Sequence, residues 1–141
     1  MKLNAKQYLK QLYRLDDLIK SNQKELKELK ELSTTIKSVN YEKERVQESG
    51  ADNNARYTKI VDKIIDLENA IMTDINNLLS LKKEIRGKVE SVQDADEKSV
   101  LRCMYINFMN GYEICDELGM SKSTLNRIHK RALKNFAHLV P

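Results

Sequence analysis

Two long apolar stripes at heptad spacing constrain this chain more than anything else in it. Tyr8, Leu12, Leu15, Ile19, Asn22, Leu26, Leu29, Ser33 and Ile36 recur at alternating intervals of four and three. An α-helix gathers such positions on one face, whereas a strand would need an interval of two. The spacing predicts a first helix from an N-cap at Asn4 to Ile36 or Lys37. Leu9, Leu18 and Leu32 widen the stripe, enough to face more than one partner helix. Tyr57, Ile60/Val61, Ile64, Leu67, Ile71, Ile75, Leu78, Leu79/Leu81, Ile85 and Val89 repeat the pattern and predict a second helix over about 54–90. Between them Ser38–Asn54 is polar, contains Ser49-Gly50 and reads as a loop. Each helix would be roughly 50 Å long at 1.5 Å per residue. Two such helices joined by one loop pack most simply as an antiparallel hairpin. A lone pair cannot bury both wide stripes, so a homodimer with four helices is expected.

Composition supports an all-α chain. Its 141 residues are 33% charged and 40% hydrophobic, with one Pro, four Gly and no Trp. The net charge of +4 agrees with an anionic partner without selecting one. Cys103 and Cys115 read as small core residues of a reduced, intracellular protein. With His129 and His138 they lack the number and spacing of a metal site, so no metal and no cofactor are expected. No apolar leader opens the sequence and no run approaches the ~20 residues of a membrane span, which makes the bacterial cytoplasm the expected location.

The sequence divides into a hairpin over 1–91 and a smaller domain over 92–141. Gly87 and Ser91-Val92-Gln93-Asp94 suggest a bend or short linker. Asp94 or Asp96 can cap the next helix, with Glu97 in its first turn. That helix is expected to reach Met109, with Asn110-Gly111 ending it. A helix from Tyr112 to Leu118 follows. Gly119 stands where a tight turn needs a left-handed residue. Ser121 then caps a last helix running to about His138. Met104, Met109 and Met120 read as core filler, and Tyr112 as a half-buried packing residue.

The last helix carries a one-sided charge. From Ser121 to Pro141 there are five bases and no acid, whereas Gln93–Met120 holds six acids and two bases. Leu125, Ile128, Ala132, Leu133 and Phe136 recur at helical spacing and should face inward. Lys122, Ser123, Asn126, Arg127, Lys130 and Lys134 then fall on the other side. Such a helix can lie in a major groove. Asn126 and Arg127 suit adenine and guanine edges. Lys122 and Ser123 could touch base or phosphate, while Lys130, Arg131 and Lys134 suit the backbone. A basic terminal helix can also be a plain solvated face, but the turn elements in register argue against that.

The segment from Asp94 to Phe136 resembles region 4 of bacterial sigma factors. The resemblance rests on Val100-Leu101-Arg102-Cys103-Met104-Tyr105, Gly111, Glu113-Ile114-Cys115-Asp116-Glu117-Leu118-Gly119-Met120-Ser121, Thr124-Leu125-Asn126-Arg127-Ile128 and Arg131-Ala132-Leu133-Lys134-Asn135-Phe136. It implies a helix-turn-helix that reads a promoter element. Val92-Gln93 replaces the Leu-Pro common at the start of that region, and Cys115 stands where Ala or Gly is usual. No counterpart of the promoter-melting domain is present, so the chain does not resemble a complete sigma factor. The whole layout more closely resembles small phage and prophage proteins of Gram-positive bacteria, in which a helical hairpin precedes such a domain. Asn4-Ala5-Lys6-Gln7-Tyr8-Leu9, Val46-Gln47-Glu48-Ser49-Gly50, Ile64-Ile65-Asp66-Leu67-Glu68 and Arg127–Leu133 fit that picture. Related phage families are regarded as regulators of late transcription, which the resemblance implies here.

The expected function is therefore a sequence-specific DNA-binding transcriptional regulator acting on double-stranded DNA as a dimer. The alternative is an adaptor that docks on RNA polymerase or another phage protein without reading DNA. No nucleophile with a placed base and no phosphate-cradling glycine loop points to an enzyme.

Overall fold

The computed structural model describes the backbone of residues 2–44 and 50–141 and the side chains of residues 2–36 and 54–141. Every regular element among the described residues is helical: α1 (Ala5–Glu44), α2 (Gly50–Glu90), α3 (Ala95–Leu101), a π-helical turn (Arg102–Ile106), α4 (Gly111–Leu118), α5 (Lys122–Phe136) and a closing 3-10 turn (Ala137–Leu139). The all-α expectation holds. No helix among the described residues is long and apolar enough to cross a membrane.

Asn4 opens α1 as anticipated. Its side chain accepts the Gln7 N–H at 2.8 Å, and Gln7 Oε1 accepts the Asn4 N–H at 3.0 Å. Two orphan amides of the first turn are thereby satisfied reciprocally. Much of the Ser38–Asn54 stretch expected as a loop is helical. α1 continues to Glu44 and α2 begins at Gly50; residues 45–49, with most of the Val46–Gly50 segment of the resemblance, lie outside the described residues. Polarity removes an apolar packing face but does not stop a helix, and the extra turns contain Glu and Lys and no proline. Gly87 likewise marks no boundary, for α2 runs through it to Glu90.

Contacts group the chain into two compact units, Asp17–Asn76 and Met1–Asp16 with Asn77–Pro141. In the first of these, Ile19, Ile36 and Ile71 are buried, and the stripe positions Leu26, Leu29, Ile64, Leu67 and Ile75 are half-buried. The interruption at Asn22 is explained by its partner: Nδ2 donates to Asp74 Oδ2 at 3.5 Å. Leu18, Leu32, Ile65 and Met72 stay exposed in this unit.

The other unit cuts across the sequence-based division at 91/92. Ala5, Tyr8, Leu9 and Leu12 of α1 and Ile85 and Val89 of α2 are buried in one cluster with Leu101, Tyr105, Ile106, Ala132, Phe136 and Val140. Tyr8 and Phe136 stack with ring centroids 6.3 Å apart. Three helices of 7 to 15 residues enclose little apolar area, so α5 needs a cover that its own neighbours cannot supply. Val100, Cys103, Ile114, Leu125 and Ile128 form a second cluster. Met104, Met109 and Met120 pack against it as the core filler they resembled, and Cys115 is half-buried there.

Asp94 caps α3, accepting the Glu97 N–H at 2.9 Å. The α-helical path then ends at Leu101, earlier than the expected Met109, because the next turn widens. Asn107 N–H reaches back five residues to Arg102 C=O at 3.0 Å, and Met109 N–H reaches Cys103 C=O at 3.0 Å. The left-handed residue that closes it is Phe108, at φ +53°, and not the Asn110-Gly111 pair. A bulky residue in that region is strained. Its ring is held by Tyr13 at 5.2 Å between centroids and by the Lys82 ammonium 4.6 Å away. Asn110 instead starts α4. It accepts the Glu113 N–H at 2.9 Å while Glu113 Oε1 accepts the Asn110 N–H at 3.0 Å.

Candidate functional site

α4 and α5 are joined by a three-residue turn, Gly119-Met120-Ser121. Gly119 adopts φ +63°, and its N–H donates to Cys115 C=O. Met120 N–H donates to the same carbonyl at 3.1 Å. A residue with a Cβ would resist that conformation, which explains glycine at this point. Ser121 then takes an extended conformation and its Oγ accepts the Thr124 N–H at 3.2 Å. The turn and both caps therefore lie where sequence places them.

Burial along α5 follows its apolar spacing. Leu125, Ile128, Ala132 and Phe136 are buried and Leu133 is partly so. Lys122, Ser123, Asn126, Arg127, Lys130, Arg131 and Lys134 are all exposed. Ser123, Asn126, Arg127, Lys130 and Lys134 lie opposite the buried side, as the 3.6-residue period requires. This face has no acid, and the first turn of α5 has none either.

Arg131 differs from the other bases. Its guanidinium is 3.5 Å from Asp94 Oδ1 and 3.8 Å from Glu97 Oε1. Glu97 is only 3% exposed, and its Oε1 also accepts the Asn135 amide N–H at 2.6 Å. A carboxylate withdrawn from water is costly unless paired and hydrogen-bonded. Arg131 and Asn135 supply those partners and so clip the rear of α5 to the start of α3. Among the described residues, Arg131 alone of the seven singled out by sequence is committed to an ion pair inside the fold. Its partners fall 34 and 37 positions earlier in the chain, beyond the reach of any helical spacing rule.

His129 lies on the flank of α5 that faces α1. Its Nε2 is 2.7 Å from the hydroxyl of the buried Tyr105. Burial pushes the imidazole below its ordinary pKa, and the charges of Lys6 and Lys10 push it the same way. Burial raises the Tyr105 phenol, so its proton stays on and can be donated to a neutral His129. Tyr13, whose ring meets Tyr105 edge-on at 5.8 Å, donates its hydroxyl to Met104 C=O.

Tyr112 corrects another expectation. It is 89% exposed rather than half-buried, and with Gly111, Cys115 and Lys122 it lines a shallow recess of about 460 Å³. Its place in the first turn of α4 points it away from both clusters; position in a short amphipathic helix, not ring size, decides its exposure. Among the described residues no group of three or more His, Cys, Asp and Glu is arranged to hold a metal.

No curated protein and no solved structure matches the chain. The model of a family described as "Protein of unknown function (DUF1492)" matches residues 35–137, spanning the end of α1 and all of α2, α3, α4 and α5, and the chain belongs to that family.

Proposed function

We propose that this chain is a sequence-specific DNA-binding transcriptional regulator whose α4–turn–α5 unit is a helix-turn-helix. The observation that carries the reading is the acid-free exposed face of α5, formed by Lys122, Ser123, Asn126, Arg127, Lys130 and Lys134 behind the Gly119–Ser121 turn. A helix entering the major groove needs an exposed polar face, positive charge along its flanks and a rigid entry turn. Asn126 and Arg127 are assigned to base edges, Lys122 and Ser123 to the groove entrance, and Lys130 and Lys134 to phosphates. Arg131 is assigned to holding α5 in place through Asp94 and Glu97.

α1 and α2 are read as an antiparallel hairpin that dimerises. Leu18 and Leu32 are two heptads apart, Ile65 and Met72 one heptad apart, and all four are exposed. Exposed apolar residues at that spacing suit a helical partner, and a dimer would let two helix-turn-helix units engage two half-sites. The same exposed residues favour the second reading, an adaptor whose hairpin docks on RNA polymerase or another protein; one chain can do both. The resemblance to phage and prophage proteins suggests a phage-encoded regulator of late transcription in the cytoplasm of a bacterial host. No catalytic role is assigned to it.

Selection of genomic fragments by repeated binding, followed by anisotropy titration at two salt concentrations, tests the proposal. A recovered motif bound tightly and with strong salt dependence supports the regulator. Weak binding that is equal for every fragment refutes it and leaves the adaptor.

A further inference from the structure

Residues 2–15 contain four bases and no acid. Three of the bases, Lys6, Lys10 and Arg14, follow one another at intervals of four, so they form a row along one side of α1. All three are exposed, and none has an ion-pair partner among the described residues. Their place in the fold is what gives the row meaning. Ala5, Leu9 and Leu12, from the same turns, are buried in one cluster with Ala132 and Phe136 of α5. This part of α1 therefore lies against α5, in the same compact unit.

Lys6 and Lys10 are close enough to His129 for their charges to act on it. Along α5, His129 stands beside Lys130 and three residues after Asn126. Lys6 and Lys10 thus come up to the flank of α5 at His129, next to its basic face, and neither residues 2–15 nor α5 contains an acid. Gathering unpaired like charges at one place opposes folding unless a polyanion shares the surface. Successive bases in the row rise about 6 Å along the helix axis, a repeat that a continuous line of phosphates can follow.

We propose that Lys6, Lys10 and Arg14 form a second cationic row that rests on the sugar–phosphate backbone of the same DNA duplex that α5 enters. The inference depends on the DNA-binding reading of α5. It assigns the first turns of the long helical segment to the nucleic-acid interface, whereas sequence reasoning confined that interface to the last helix. The row gives affinity and not sequence preference, because phosphates carry no base identity.

The test uses the full chain in three forms, wild type, K6A/K10A and K6R/K10R. Each is titrated against the selected duplex and a scrambled duplex across a salt series. Loss of two phosphate contacts should flatten the slope of log affinity against log salt by about 2 in K6A/K10A, on both duplexes, with their affinity ratio retained. K6R/K10R should restore the wild-type slope, which a defect in folding would not allow. The His129 pKa, followed by NMR, should rise in K6A/K10A if the two lysines sit where the fold puts them. A wild-type slope in K6A/K10A, with DNA binding intact, overturns the row and leaves the reading of α5 standing. Failure of the wild type to bind either duplex overturns both.

Discussion

The Tyr105 hydroxyl lies 2.7 Å from Nε2 of His129 and ties the turn after α3 to the middle of α5. The bond suits a neutral imidazole, which accepts the phenolic proton at that nitrogen. Burial and the charges of Lys6 and Lys10 hold the His129 pKa below its ordinary value of 6.5. In the unfolded chain the group titrates at that ordinary value.

Stability should therefore fall on the acid side. Well above 6.5 His129 is neutral in both states and contributes no pH dependence. As pH drops below that value the unfolded chain takes up a proton that the folded chain resists, so stability is lost until the folded pKa is also passed. Urea unfolding of the wild type and of His129→Gln at about pH 7.5 and about pH 5 measures this, since the slope of stability with pH follows the difference in bound protons. The variant should lose less stability over that interval. Equal losses would remove His129 as the source.

Phe136→Ala should be among the most damaging single changes. Phe136 is 1% exposed and stacks on Tyr8, joining the last turn of α5 to the first turns of α1. Removing a buried phenyl ring leaves a cavity and typically costs about 3–5 kcal/mol. Chemical denaturation followed by circular dichroism gives the number. A loss below about 1 kcal/mol, the level of an ordinary surface change, would mean that α1 and α5 do not share a core.

Two glycines should respond to alanine with opposite signs. Gly119 has φ +63° and open space where a Cβ would stand, so Gly119→Ala suffers backbone strain alone, about 1–2 kcal/mol. Gly87 lies inside α2, also with open space around it, and Gly87→Ala should add about 0.5–1 kcal/mol of stability through helix propensity. Thermal unfolding of both variants decides it. A stabilising Gly119→Ala would show that the turn does not need the left-handed residue.

Local signals were read well from sequence, and signals that depend on distant partners were not. Asn4, Asp94 and Ser121 act as caps where their side chains and spacing place them, because capping is decided within four residues. Gly119 is legible for the same reason. The end of α3 is not, since the widened turn at Arg102–Ile106 and the left-handed Phe108 depend on packing against Tyr13 and Lys82. The boundary at 91/92 misleads because the cover for α5 comes from Ala5–Leu12, more than a hundred residues away in sequence. The basic face of α5 was legible from periodicity. The row at Lys6, Lys10 and Arg14 has a visible spacing too, but it gains a neighbour only once α1 is packed on α5.

Arg127→Ala should change what sequence is bound. An exposed arginine near the start of α5, with no ion-pair partner among the described residues, is free to meet a guanine edge. Its loss should cost about 1–3 kcal/mol on the selected duplex and relax preference at one position. Little should change on a scrambled duplex. Unchanged preference, read by competition between duplexes that differ at single base pairs, would take Arg127 out of the base-reading set.

Lys130 and Arg131 are neighbours in sequence with the same charge, and the fold separates their roles. Lys130 is exposed opposite the buried side of α5, whereas Arg131 is paired with Asp94 and with the buried Glu97. Lys130→Ala should weaken binding to every duplex and flatten the salt slope by about 1, with the unfolding midpoint unchanged. Arg131→Ala should do the reverse. It leaves the Glu97 carboxylate with Asn135 but without its cation, so it should lower stability while the salt slope of the folded protein stays near wild type. Arg131→Lys should recover only part of that stability, because an ammonium cannot reach both carboxylates with a planar fork. Measuring salt slope and unfolding midpoint on the same preparations separates the cases. A loss of slope in Arg131→Ala at full stability would place Arg131 on the phosphates after all, and its ion pairs would then be a resting arrangement that DNA displaces.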